Sequence, residues 1–154
     1  MRPAAMSGLA DIQIRLARPE ERDALEALQW RASLANENDR PHLEAHPDAI
    51  HLPLDQIERG EVIVSDLAGR TVGFAALLAE ANHLELDGLF VEPDMWSQGI
   101  GAVLVAAATH EARRRGLTLM VIANPHALDF YRRCGFVEEG IVQTRFGPGI
   151  RMSR

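Results

Sequence analysis

Cysteine, positive charge and long apolar runs are all in short supply in this chain, and each shortage removes a class of protein. A single cysteine, Cys134, among 154 residues excludes an internal disulfide and fits a reducing compartment, so a cytoplasmic protein is expected. Sixteen basic against 22 acidic residues leave a net charge of −6, which argues against a nucleic-acid partner and favours a basic substrate. The arginines at 113–115 read as the end of a helix rather than a basic patch. No apolar stretch approaches the roughly 20 residues of a membrane span, and residues 1–10 lack a hydrophobic signal core, so neither membrane attachment nor secretion is expected. What is present is a 47% hydrophobic chain without internal repeats. It is long enough for one core, so residues 1–154 are expected to form one domain with a flexible start at 1–10.

The pattern along the chain alternates strands with helices. Residues 12–16 alternate as a strand, Arg18-Pro19-Glu20 opens a helix through about Ala35, and 36–53 is a polar stretch punctuated by prolines. A short helix is expected over 53–60, then a hairpin of 61–66 with 71–79 about Ala68-Gly69-Arg70. In the next strand Leu84, Leu86, Gly88 and Phe90 fall on one face, with His83, Glu85, Asp87 and Leu89 on the other. Gly88, inside this otherwise apolar segment, marks a bulge that would let neighbouring strands separate. The last strands are expected over 136–146 and 150–153, joined through Gly147-Pro148-Gly149.

The most informative segment follows that strand, where Trp96-Ser97-Gln98-Gly99-Ile100-Gly101 opens directly into a helix. Ile100, Val103, Leu104, Ala107 and Glu111 recur at helical spacing, and Gly116 follows as a cap. A glycine turn at a helix start exposes backbone N–H groups with no intrahelical partner, at the positive end of the helix dipole. An anion is therefore expected against residues 97–102. It is not a nucleotide-hydrolase loop, because Ala102 and Val103 stand where a Lys and a Ser or Thr are required. Nor is it a dinucleotide fingerprint, because Leu104 occupies the third glycine position.

A second motif lies about twenty residues on. Residues 117–123 form a continuous apolar run, as a strand buried on both faces should, and Asn124-Pro125 supplies a helix N-cap followed by proline. Ala127, Phe130, Tyr131 and Cys134 then share one helical face, ended by Gly135-Phe136.

In order and separation, the segment from Leu86 to Ala112 together with Asn124-Pro125-His126-Ala127-Leu128-Asp129-Phe130-Tyr131-Arg132-Arg133-Cys134-Gly135-Phe136 resembles the GNAT superfamily of acyl-CoA-dependent N-acetyltransferases. The resemblance implies a mixed α/β fold, with a mostly antiparallel sheet flanked by helices and two parallel strands that splay to admit acetyl-CoA. Its pyrophosphate motif, Arg/Gln-x-x-Gly-x-Gly/Ala, maps onto residues 96–101, except that Trp96 replaces the usual Arg or Gln. Carried over, Ser97, Gln98, Gly99, Ile100, Gly101 and Ala102 would hold the pyrophosphate. The Leu89 amide would polarise the thioester carbonyl, and Val91, next to Phe90, would pair with pantetheine. Asn124, Phe130 and Tyr131 would border the cofactor, with Tyr131 as general acid. Glu85 sits where some members carry their general base, and Asp87 is a second candidate.

Each assignment has a plainer competitor. Glu85 and Asp87 could belong to a half-solvated strand, Asn124 could be only a cap, and Tyr131 could be only a packing residue. The implied activity is transfer of an acetyl group from acetyl-CoA to a primary amine of a small molecule or peptide, by direct attack in a ternary complex. The alternative is a non-catalytic acyl-CoA-binding or regulatory module of the same fold. No metal is expected, since His42 and His46 are bracketed by Pro41 and Pro47 with no third ligand. The 30–54 segment, with Glu37, Asp39, Glu44 and Asp48, would help shape the acceptor site. A homodimer stays open.

Overall fold

A computed structural model of the chain describes residues 11–154. The expectation for residues 1–10 lies outside the described residues. In chain order the elements are β1 (Ile12–Leu16), α1 (Arg22–Ala35), α2 (Arg40–Ala45), α3 (Leu54–Glu58), β2 (Val62–Leu67), β3 (Arg70–Ala79), β4 (His83–Val91), α4 (Ile100–Arg114), β5 (Thr118–Ala123), α5 (Leu128–Arg133), β6 (Val137–Thr144) and β7 (Gly147–Ser153). The strands form one seven-stranded sheet in the order β1-β2-β3-β4-β5-β7-β6. Every neighbouring pair is antiparallel except β4 with β5.

Helices cover both faces of this sheet because the central strands are apolar on both sides. On one face Leu77, Leu84, Leu86 and Leu119 pack with Ile100, Leu104, Val105 and Ala108 of α4. On the other, Val64, Phe74 and Ala76 meet Leu25 and Leu28 of α1 and Ile57 of α3. Leu104 is fully buried, and truncating such a leucine to alanine costs about 2–5 kcal/mol. The β2–β3 hairpin turns at Ala68 and Gly69, both at positive φ, the backbone twist that suits two-residue hairpin loops.

The parallel pairing of β4 with β5 covers only His83, Glu85 and the residue between them, opposite Thr118, Leu119 and Met120. Beyond that point the strands part. The register of β4 against β3 jumps at the same place, from Leu86 opposite Leu77 to Gly88 opposite Ala76, leaving Asp87 as the extra residue. The bulge therefore falls one residue before Gly88, and it corrects the expected strand faces. Alternation inverts across Asp87, so Leu89 and Val91 pack with Leu84 and Leu86 on the α4 side, while Phe90 joins Phe74 on the α1 side.

Three further local expectations are revised. The polar stretch after Ala35 contains α2, whose prolines sit at its first turn and just past its end, where neither blocks a helical hydrogen bond. The buried face of α4 is Ile100, Leu104, Val105, Ala108, Thr109 and Ala112. Glu111 instead points to Arg114 and Arg115. Finally, β7 begins at Gly147, so the last hairpin turns at Arg145 and Phe146 rather than through the glycine-proline segment.

Candidate active site

After β4 the chain makes a 3₁₀ turn over Pro93–Met95 and enters the glycine loop. Ser97 has φ +64° and Gly99, the N-cap of α4, has φ +84°, so two left-handed residues bend the backbone into a concave turn. No side chain caps the helix, and the first amides of α4 stay available to an anion. At Gly101 a Cβ would meet the Phe130 ring at 3.2 Å, so a glycine there keeps the approach to the loop open. Trp96 is only partly exposed, and its indole N–H donates to the Val91 carbonyl at 2.8 Å.

The splay of β4 from β5 opens a cleft with two lobes. The larger, about 550 Å³, is lined by Leu89, Phe90, Val91, Trp96, Ser97, Gly99, Ile100, Gly101, Ala102 and Phe130, with Arg133 and Cys134 from the second motif. The smaller, about 300 Å³, is lined by Leu89, Asn124, His126, Phe130 and Tyr131 together with Ile122 and Ala123 of β5. Leu89, Phe130, Asn36 and Asp39 belong to both lobes and mark their junction. Gln98 lies exposed in the loop and lines neither. Asn124 accepts from the His126 amide at 2.9 Å, acting as a cap where it borders the smaller lobe.

Tyr131 is 8% exposed, edge-on to both Phe130 and Phe136. Burial, reinforced by the Cys134 thiol, pushes its phenol well above the usual tyrosine range, so it stays protonated at neutral pH. Glu85 and Asp87 line neither lobe. Burial raises the Glu85 carboxyl above its usual value, with Asp87 and Glu80 adding repulsion. Asp87 has solvent on its outer side, yet partial burial of the carboxyl raises it too. Among the described residues no three His, Cys, Asp or Glu side chains cluster to hold a metal.

The end of β4 is braced from α1. Arg31 donates through Nε and Nη2 to the Glu92 carboxylate at 3.0 and 2.7 Å, and Glu92 is only 7% exposed. This bidentate pair ties α1 to the residue that follows Val91, next to the larger lobe. Of the four acidic residues expected to shape the acceptor side, Asp39 lines the cleft and Glu37, Glu44 and Asp48 do not, while Asn36 lines it without having been expected, because nothing in a polar segment says which of its side chains face inward. The one local signal is Asn36, whose side chain accepts from the Asn38 amide at 2.9 Å and fixes the turn ahead of Asp39.

The acetyltransferase (GNAT) family model matches residues 23–136, a stretch that spans α1, the glycine loop and the second motif. The chain belongs to the GNAT acetyltransferase family. Among GNAT relatives, it is 35% identical over 144 residues to the peptidyl-lysine N-acetyltransferase YjaB of Salmonella typhimurium, covering 84% of this chain and 86% of that protein. It is 31% identical over 91 residues to an uncharacterised N-acetyltransferase of Methanocaldococcus jannaschii, and there the match covers 52% of this chain and 40% of the relative. In fold it is similar to the PaiA N-acetyltransferase of Thermoplasma acidophilum solved with coenzyme A, with a TM-score of 0.71 at 20% identity over 93% of this chain and 98% of that one. The mixed, mostly antiparallel sheet with its splayed parallel pair is the architecture expected of a GNAT protein.

Proposed function

We propose that residues 1–154 act as one unit that transfers an acetyl group from acetyl-CoA to a primary amine of a small molecule or peptide, by direct attack in a ternary complex. The observation that carries this reading is the continuity of the uncapped 97–102 loop with a cleft running past Leu89 to Tyr131. Acetyl-CoA would supply the activated thioester. The amides of Ser97 to Ala102 would hold its pyrophosphate, Phe90 and Val91 would flank the pantetheine arm, and the Leu89 amide would stabilise developing negative charge on the carbonyl oxygen. Phe130 and Asn124 would close the far side. Tyr131, kept protonated by burial, suits a general acid for the departing sulfur. Glu85 and Asp87 have the raised basicity of proton acceptors but would reach the cleft only through water.

The likeness to a peptidyl-lysine acetyltransferase supports a lysine side chain as first acceptor to try. This chain contains no lysine, so acetyl-lysine formed in a mixed reaction belongs to the acceptor. The lone Cys134 supports a cytoplasmic setting, and exposed Val137 and Ile141 on the edge strand β6 support the homodimer option. The test is a thermal melt with CoA. CoA should raise the melting temperature, NAD and ATP much less, and Gly99→Glu should remove the CoA shift by blocking the loop and adding like charge. A shift unchanged in that variant would exclude the loop as the pyrophosphate site. Thiol release from acetyl-CoA with lysine peptides separates an enzyme from a binding module.

A further inference from the structure

The two lobes of the cleft differ in charge. The larger ends on the α4 amides and carries Arg133, an end suited to anions. The smaller has no arginine on its wall, and Asp39 is the one carboxylate lining either lobe. Asp39 stands at the junction with Leu89, where the two lobes meet. Its backbone is held on both sides, its amide by the Asn36 carbonyl at 3.1 Å and its carbonyl by the Leu43 amide at 3.0 Å. The helix it opens is itself anchored, since the His42 and His46 rings pack on Phe146 of the last hairpin at 5.6 and 5.4 Å between centroids. Although Asp39 is the N-cap of α2, its side chain makes no cap hydrogen bond. Among the described residues no hydrogen bond or ion pair engages its carboxylate at all, which is unusual for a half-buried acid that local structure would readily employ.

We propose that the Asp39 carboxylate receives the ammonium group of the acceptor at the lobe junction and takes its first proton. The inference rests on the acetyltransferase reading and gives that site its acceptor chemistry: an unhindered cationic primary amine entering by the smaller lobe. The ammonium passes one proton to Asp39 and becomes a neutral amine. Its lone pair forms the nitrogen–carbon bond, the carbon–sulfur bond breaks, and the sulfur leaves with the Tyr131 proton. The second nitrogen proton restores Tyr131, and Asp39 returns its own to water in the open lobe, so one amide, one thiol and one proton result. Burial makes Asp39 more basic than an ordinary aspartate, with His42 and His126 opposing when protonated. Glu85 and Asp87, which border no part of the cleft, are then dispensable for this contact.

The experiment compares two CoA thioethers by calorimetry: S-(2-aminoethyl)-CoA, which places an ammonium just past the sulfur, and its neutral isostere S-propyl-CoA. Wild type should prefer the ammonium form by roughly tenfold, Asp39→Asn should lose the preference while binding S-propyl-CoA as before, and Glu85→Gln and Asp87→Asn should keep it. Asparagine is nearly isosteric and the side chain caps nothing, so a thermal melt should show the variant folded. If S-propyl-CoA binds but wild type shows no ammonium preference, or Asp39→Asn keeps one, the Asp39 proposal is wrong and the cofactor reading stands. If neither thioether binds, the acetyltransferase reading itself fails and takes this proposal with it.

Discussion

The Trp96 indole N–H donates to the Val91 carbonyl at 2.8 Å, which ties the first residue of the glycine loop to the last residue of β4. The aromatic side chain at this position is therefore a structural brace where most of the family carries a polar contact to phosphate. Trp96→Arg should lose that hydrogen bond and the ring packing, lowering stability by about 1–2 kcal/mol, or roughly 3–6 °C in melting temperature. CoA affinity should stay equal or weaken. Tighter CoA binding at unchanged melting temperature would show that the tryptophan merely replaces a lost phosphate contact.

Tyr131→Phe keeps the ring between Phe130 and Phe136 and removes only the hydroxyl. The variant should fold and bind CoA like wild type, while kcat falls on the order of 10²-fold. Steady-state kinetics with a lysine peptide measures this. An undiminished kcat would reduce the tyrosine to a packing residue.

Arg31 and Glu92 form the bidentate pair that braces the end of β4. Arg31→Met should cost about 1–3 kcal/mol, because it strands a nearly buried carboxylate with only the Arg70 guanidinium, 4.0 Å away, for company. Adding Glu92→Met removes the stranded charge, so the double variant should be more stable than the Arg31 single variant. Denaturant melts of the set decide the point, and additive losses would contradict the pairing.

The predictable parts of this protein are those whose chemistry is local. Gly99 and Gly116 at positive φ, Asn124 as a cap and the apolar run of β5 identify themselves by residue type, and the two sequence motifs stand on them. Asp87 shows the opposite case. Gly88 signals a bulge but not which neighbour is the extra residue, so the inverted faces of Leu89 and Phe90 emerge only once β3 fixes the register. The same holds for Asp39, whose place in the cleft depends on β4 and α5 arriving from elsewhere in the chain.

Acid stability should depend on the end of α4. The Arg114 guanidinium above all, with help from Arg115, holds the Glu111 carboxyl at about 2 against an ordinary 4.5. A folded pKa below the unfolded one means the contribution is whole above about pH 4.5 and fades as pH falls toward 2. Glu111→Gln should therefore destabilise the protein at pH 7 and flatten the decline in melting temperature across that window. An identical decline in the variant would show that other carboxylates govern it.

The bulge at Asp87 makes residue count, rather than residue chemistry, the constraint on the middle of β4. Leu84 and Leu86 before it and Leu89 and Val91 after it reach the same core, although Leu86 and Leu89 stand three positions apart, because Asp87 takes no place in the ladder with β3. Substituting Asp87 changes one partly solvated side chain. Deleting it would leave the faces as they are, since Gly88, Leu89 and Phe90 would keep Ala76, Ala75 and Phe74 as partners, but it would make the ladder with β3 continuous and remove the irregularity at which β4 leaves β5. The parting of the two strands is, in that sense, tied to a single added amino acid.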